Sequence, residues 1–494
     1  IYNSATEPTK DMATIEITGG TFSSDPTKYV IEDSAITANA DGTFGVAKAY
    51  LAKVGNTSYY TMEEAFKAQT TSGEPVVLLR DYTTGGTFNS GSINRTVDLN
   101  EHTWTYTGTD VNDAAFEINH SDVTLTVKNG TVVSSTMVGL IPSANGGTIK
   151  YDNSGLVLDG VTATANGNSG IETNGNNTND TVTLKNSTLN VPNGFGIYFP
   201  SSGTLTIDNS TINAKTMGVQ VCAGSLSINK GSEVTVSGGP VEKIENDGAI
   251  QDGAAISIVN REGYNGLGTV TVSGGKFTAN AGNSAIKAYN WADGNETAFT
   301  EKDKVFVSGG TFNHAVPSDY CAEGYVPVKN SDGTYSVKEG KYVASIGDTK
   351  YVSLAEAIAA AKDGDTVTLL ADISDASGMG VTKNLTIDFG TYTVTGGKGA
   401  VVLNVSNAKV TLKGTTGGIN GGAGGNNVAV LANTGSDITI EGGNYTVGGD
   451  ANNNGNATIY IVSNGKVTIN GGTFSSECAY AGKYYVLNVN NSAS

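Results

Sequence analysis

Six residues in the middle of the chain have the side-chain chemistry that holds a sugar: Glu172, Tyr198, Arg261, Lys287, Tyr289 and Trp291. Aromatic faces offer apolar contact to pyranose rings, while carboxylate, ammonium and guanidinium groups fix hydroxyls by hydrogen bonds. They share one local pattern. Gly170-Ile-Glu-Thr173, Gly196-Ile-Tyr-Phe199, Gly218-Val-Gln-Val221, Ala255-Ile-Ser-Ile258 and Ala285-Ile-Lys-Ala288 are copies of a short strand. Alternation along a strand sends Ile171, Ile197, Val219, Ile256 and Ile286 inward. It leaves Glu172, Tyr198, Gln220, Ser257 and Lys287 in an outward row, continued by Val259, Arg261, Tyr289 and Trp291. The bland alternative is an ordinary decorated sheet face, to which a ligand-binding row is the sharper competitor.

Other chemistries find less footing. His102, His120 and His314 share no ligand spacing, and Cys222, Cys321 and Cys478 form no CxxC pair, so no metal site, cofactor or disulfide framework is expected. Neither Cys222, expected to face outward, nor Cys478 has a neighbouring base that would make it a nucleophile. Asn174 to Asp180 and Gly448 to Asn454 are rich in oxygen side chains, yet they read as turns rather than calcium loops. With 29 basic against 47 acidic residues, the chain carries a formal charge of −18, which disfavours nucleic acid and anionic membranes as partners. No apolar run is long enough to span a bilayer, and the start at Ile1 reads as a fragment or a processed chain.

The elements that must position the row are repeats. Val467-Thr-Ile-Asn-Gly-Gly-Thr-Phe474 returns as Ile15 to Phe22, Val270 to Phe277, Val305 to Phe312 and Ile438 to Tyr445: alternating apolar residues, a Gly-Gly bend, then an aromatic. Gly at 66 of 494 residues suits short strands joined by tight turns. Equivalent strands start at Leu125, Leu156, Val182, Leu205, Leu226, Val270 and Val305, and again at Leu385, Val410, Ile438 and Val467. Such spacing predicts the coils of a solenoid. The two longest gaps contain Gly239 to Ala254 and Ala281 to Lys304, the inserts most free to carry function.

A larger repeat, offset by roughly 290 residues, pairs Gly19 to Phe22 with Gly309 to Phe312, and Thr61 to Phe66 with Ser353 to Ile358. Capping-box spacing at Thr61 and Glu64, and at Ser353 and Glu356, predicts two short helices that cover the first coil of each array. Asp332-Gly333 predicts a hairpin turn ahead of the second. The expected organisation is an end coil over 1–22, a hairpin linker over 23–60, a capped array over 61–319, a second linker over 320–352 and a second capped array over 353–494.

The Ser353-Leu-Ala-Glu-Ala-Ile…Asp363-Gly-Asp-Thr-Val cap and the Gly-Gly-aromatic coils resemble the pectate-lyase-like right-handed parallel β-helix superfamily. More narrowly, they resemble the repetitive surface proteins of Gram-positive gut bacteria. The resemblance implies an all-β, right-handed parallel β-helix in two tandem arrays, on the cell surface or secreted, in an adhesin-like role toward a glycan or a host or cell-surface protein, with end-to-end contacts between modules. The polygalacturonase-like active-site strings of that superfamily do not occur in this sequence, and the basic residue and calcium-binding acids of its lyase-like members have no match around Arg80, Arg95 or Arg261, which no acidic cluster adjoins in sequence. The expectation is therefore a non-catalytic structural or adhesive stalk, with a polysaccharide-active enzyme, lyase or glycoside hydrolase, as the alternative.

Overall fold

The computed structural model describes residues 15–69, 74–241, 248–422, 424–449, 456–478 and 484–490. The chain is all-β with long parallel sheets, and it divides into two compact units, residues 1–323 with 327–338, and 324–326 with 339–494. The cut falls inside the segment expected to link the two arrays.

In the first unit, successive strands visit three ladders in turn. The first ladder registers Leu125 on Leu156, then Val182, Leu205, Leu226, Val270 and Val305, each strand parallel to the last. These are the seven positions that the sequence sets as equivalent. The second ladder runs from Tyr82–Thr84 to Thr311–Phe312. The third registers Ile171, Ile197, Val219, Ile256 and Ile286. All five are buried, because the inward positions of consecutive rungs stack directly on one another. Burying each such aliphatic is worth roughly 1.5 to 3 kcal/mol, so a single rung is marginal and a stack of them is stable.

The corner between the first and second ladders explains a repeated Asn-Ser dipeptide. Gly160, Asn186, Asn209 and Gly231 take positive φ there (68°, 48°, 46° and 84°), a conformation that Gly tolerates and Asn accepts better than other side chains. At three of these corners the next residue, Ser187, Ser210 or Ser232, turns a small hydroxyl inward. Ser187 Oγ accepts from Val161 N at 3.0 Å and donates to Leu158 O at 3.0 Å, and Ser210 Oγ accepts from Ser187 N at 3.0 Å. Each corner thereby satisfies a backbone donor of the rung before it, which a buried chain reversal otherwise leaves unpaired. Outside the corner, Asp98, Lys128, Asp159, Lys185 and Asp208 sit opposite one another in register, so charge alternates along the ladder.

Both expected helices form. Met62–Ala68 carries a complete capping box, with Thr61 and Glu64 bonding each other's backbone, and Ser353 accepts from Glu356 N at 3.0 Å ahead of Leu354–Ala360. In the second unit the helix buries Leu354, Ala357 and Ile358 against the strand end, in one core with Val367, Val381 and Leu385. Three parallel ladders follow, and the first registers Leu385, Val410, Ile438 and Val467.

The Gly-Gly bend has one geometry wherever it occurs. The second glycine holds φ of 117° at Gly20, 113° at Gly275, 104° at Gly310, 102° at Gly443 and 107° at Gly472. A side chain there is strained, and at Gly275 a Cβ would also lie 2.6 Å from Ser232 O. The aromatic two residues on then stacks between rungs: Phe277 on Phe312 at 4.9 Å, and Tyr445 on Phe474 at 5.2 Å.

Candidate functional site

The outward row is not an open surface. Arg261, Tyr289 and Trp291 are 5 %, 1 % and 3 % exposed, and Tyr198, Gln220, Ser257 and Val259 are buried with them. Expecting Trp291 to stand in solvent is therefore corrected. The insert between the second and third ladders folds back across the outer face of the third, making a second small core from Phe195, Tyr198, Met217, Cys222, Ala249, Ile250, Val259, Tyr289 and Trp291. Cys222 belongs to this core, and burial pushes its thiol up to about 12, so it is a packing residue rather than a nucleophile. Cys478 has its side chain outside the described residues.

Polar side chains of the row stitch the insert down. The Gln220 amide pairs with the backbone of Ile250 in both directions, Nε2 donating to Ile250 O at 2.7 Å and Oε1 accepting from Ile250 N at 2.9 Å. Asp252 comes from the insert itself: its carboxylate accepts from Ala254 N at 3.0 Å, Ser257 Oγ at 2.7 Å and Tyr289 Oη at 3.0 Å. Burial nevertheless leaves the Asp252 carboxyl above its ordinary range, because three donors do not replace full hydration.

Where the insert ends, the row opens into a cleft. Arg261 Nη1 donates to Gly248 O at 2.7 Å and to Tyr198 Oη at 3.0 Å, and Tyr198 Oη meets Tyr264 Oη at 2.9 Å. Tyr264 sits on the short loop after Arg261, with the guanidinium 5.0 Å from its ring centre. Its ring closes on Gly175, where a Cβ would stand only 3.3 Å away, so the bare backbone of that turn admits the aromatic. The Asn174 side chain holds the same turn by accepting from Asn176 N at 3.0 Å. The resulting cleft of about 630 Å³ is lined by Glu172, Asn174, Asn176, Tyr198, Pro200 and Tyr264, among others. A second cleft, about 650 Å³, shares Glu172 and Gly248 with it and extends past Phe195, Ala249 and Gln251 toward Thr136 and Asn112.

The six sequence candidates therefore divide. Glu172 and Tyr198 line the clefts and Arg261 is buried behind them on Tyr198 and Gly248, whereas Tyr289 and Trp291 pack under the insert and Lys287 pairs with Glu296 at 2.9 Å in the hairpin beyond. The sequence row missed Tyr264, Asn174 and the insert residue Asp252. The signal for Asp252 and Tyr264 was the long gap before Val270, which marks a coil with more chain than its turn needs, whereas Asn174 belongs to the Asn-rich turn before Val182. Burial raises the Tyr198 hydroxyl well above its usual range and keeps it protonated, a donor and acceptor rather than a base. Among the described residues, no group of three or more His, Cys, Asp or Glu comes together in a way that could hold a metal ion.

No protein-family profile matches the chain, and no curated protein matches it. Two solved structures align over 87 % of this chain and 97 % of their own, at 10 % identity and a TM-score of 0.12: the PL6 family alginate lyase AlyGC and an arginine-to-alanine mutant of it.

Proposed function

We propose that this chain is a right-handed parallel β-helix in two tandem capped arrays, a structural and adhesive protein of the bacterial cell surface or exterior that holds a glycan in the Glu172–Tyr264 cleft. The observation that carries this reading is the composition of the cleft. The half-buried Tyr264 ring, supported from beneath by Arg261 and by the buried Tyr198, offers apolar surface beside a carboxylate and two side-chain amides. That mixture of apolar face and fixed polar groups suits sugar rings and their hydroxyls. A hydrolase of the usual two-carboxylate kind needs an acid and a second carboxylate facing it across the bond. Among the described residues that line the two clefts the carboxylate is Glu172, and the groups around it are those that bind a sugar.

The test is a glycan array followed by calorimetry with acidic and neutral oligosaccharides. Tyr264→Ala and Glu172→Gln are expected to weaken binding at least about tenfold, or ~1.4 kcal/mol. Binding that survives both changes, or no binding to any glycan, sinks the reading. Release of unsaturated or reducing-end products from a bound polysaccharide replaces it with the enzymatic alternative.

A further inference from the structure

The two clefts beside the insert are halves of one groove, and the chemistry changes along it. Glu172 and Gly248 line both. On either side of Glu172 the lining divides by strand position. Gly167, Asn168 and Ser169, which lead into the strand Ser169–Thr173, line the second cleft, and Thr173, Asn174 and Asn176, which end or follow it, line the Tyr264 cleft. The next rung repeats the division, with Phe195 in the second cleft and Tyr198 and Pro200 in the first. Ser169 registers on Phe195 and Glu172 on Tyr198, so the groove crosses the third ladder along its strands rather than along the stack. Extended backbone from Ser169 to Thr173 spans roughly 13 Å at about 3.3 Å per residue, longer than a single sugar ring.

The Tyr264 end offers a ring face, and the far end offers something else. Its walls are the insert residues Ala249 and Gln251 on one side and the loop residues Thr109, Val111 and Asn112 on the other. Met137 and Phe195 lie in the same cleft but are only 5 % and 6 % exposed, so neither presents a face on which a pyranose could stack. Val111 is the opposite case, an aliphatic side chain at the cleft that is 73 % exposed. The apolar lining is thus a niche of aliphatic and ring-edge atoms, a shape that takes a methyl group. Amides stand beside it. Gln251 is anchored through Oε1, which accepts from Thr216 Oγ1 at 2.6 Å, and among the described residues no acceptor takes its Nε2. A fixed amide donor next to an apolar niche matches an acetamido group, whose methyl gains from apolar cover and whose carbonyl loses hydration unless a donor replaces it.

We infer that the second cleft is the acetamido subsite of this groove. The ligand is then a linear oligosaccharide of N-acetylated amino sugars that lies across the third ladder, with one ring against Tyr264 and an N-acetyl group between Val111 and Gln251. The inference rests on the reading of the Tyr264 cleft as a sugar site and adds to it the class of sugar and the direction of the chain.

Calorimetry with two oligosaccharide series tests it: β-1,4-linked N-acetylglucosamine oligomers from two to six residues long, and cello-oligosaccharides of the same lengths, which carry a hydroxyl in place of each acetamido group. The acetylated series is expected to bind at least about tenfold more tightly and to gain affinity beyond the disaccharide as both clefts fill. Val111→Asp changes an exposed position, and Gln251→Glu keeps the acceptor for Thr216 while removing the donor. Each is expected to cut the preference for the acetylated series to below about threefold, whereas Tyr264→Ala weakens both series alike. Unchanged thermal unfolding of the variants separates loss of preference from loss of fold. Equal affinity for the two series, or a preference that Val111→Asp and Gln251→Glu both leave intact, overturns the inference while the Tyr264 cleft remains a sugar site. Affinity that stops rising at the disaccharide overturns the single groove. Binding of neither series while other glycans bind defeats this inference alone, and binding of no glycan defeats it together with the reading beneath it.

Discussion

The hydroxyls of Tyr198 and Tyr264 meet at 2.9 Å although 66 positions separate them in the chain, and Arg261 joins the pair by donating to the first at 3.0 Å and lying 5.0 Å from the ring of the second. Tyr198→Phe keeps the buried ring and removes an acceptor from a guanidinium that is itself buried. Hydrogen bonds to charged groups contribute about 1.5 to 3 kcal/mol, so this change is expected to cost the first unit an amount of that order. Tyr264→Phe, on a half-buried ring, is expected to cost less. Thermal unfolding of the two variants checks the order, and equal stabilities would contradict it.

The Gln220 amide is the other anchor of the insert, and it acts on a local element rather than on the ladders. Gln220→Ala leaves the Ile250 N–H and C=O without their partners, a penalty of about 1 to 3 kcal/mol concentrated around Ile250. Hydrogen exchange at Ile250 is expected to accelerate and limited proteolysis to cut within the insert first, while the amides of Val219 and Val221 keep their protection. Uniform acceleration through the ladder would show that the insert is not a separable unit.

These two anchors also mark where sequence reasoning stops. Period-two alternation placed Ile171, Ile197, Val219, Ile256 and Ile286 on one side of the strand, and the registers agree residue for residue. The same alternation named the other side outward, which is a statement about the strand and not about solvent. Val259, Tyr289 and Trp291 are large apolar side chains at three such positions, and apolar area of that size is stable only under cover. The cover lies in the insert that its length marks, but nothing in the sequence of residues 239–254 says on which face it lands. The equivalent strand starts were legible because stacking repeats one environment many times. The cleft was not, because it forms once, from Glu172, Tyr198, Arg261 and Tyr264 brought together by a single return of the chain.

Glycine substitutions separate backbone strain from crowding. Gly333 sits at a hairpin tip with φ 87° and open space around it, so Gly333→Ala is expected to cost only the left-handed conformation, about 1 to 2 kcal/mol. Gly275 has φ 113°, and a Cβ there lies 2.6 Å from Ser232 O and 2.9 Å from the Phe277 ring. Gly275→Ala must add displacement of a rung to the same strain. Chemical denaturation is expected to show a loss at least about twofold larger for Gly275→Ala than for Gly333→Ala, given core crowding penalties of roughly 1 to 3 kcal/mol. Similar losses would mean that the bend yields to a methyl group.

Asp180 sets a pH dependence whose sign is opposite to that of the exposed turn aspartates. Its side chain is fully buried at the corner beside Ser154; Oδ1 accepts from Ser154 N at 3.2 Å and Oδ2 has no partner. Burial pushes the carboxyl up to about 7, and the nearby Asp152 carboxylate adds to the shift. In the unfolded chain the group titrates near the ordinary aspartate value of 3.8. Between those values the folded chain holds a proton that the unfolded chain has released, so stability falls as pH rises and the loss is complete above about 7. Asp25, Asp41 and Asp332 are shifted the other way by Thr27, Thr43 and Thr334, and what they contribute is lost on acidification instead. Asp252 and Glu117 are raised like Asp180, so some downward slope survives its removal. Melting temperature measured from pH 5 to pH 8 is expected to fall more steeply for the unaltered protein than for Asp180→Asn, which gains relative stability at pH 8. Parallel profiles would show that Asp180 is ionised in the folded state, with its second oxygen reached by a donor.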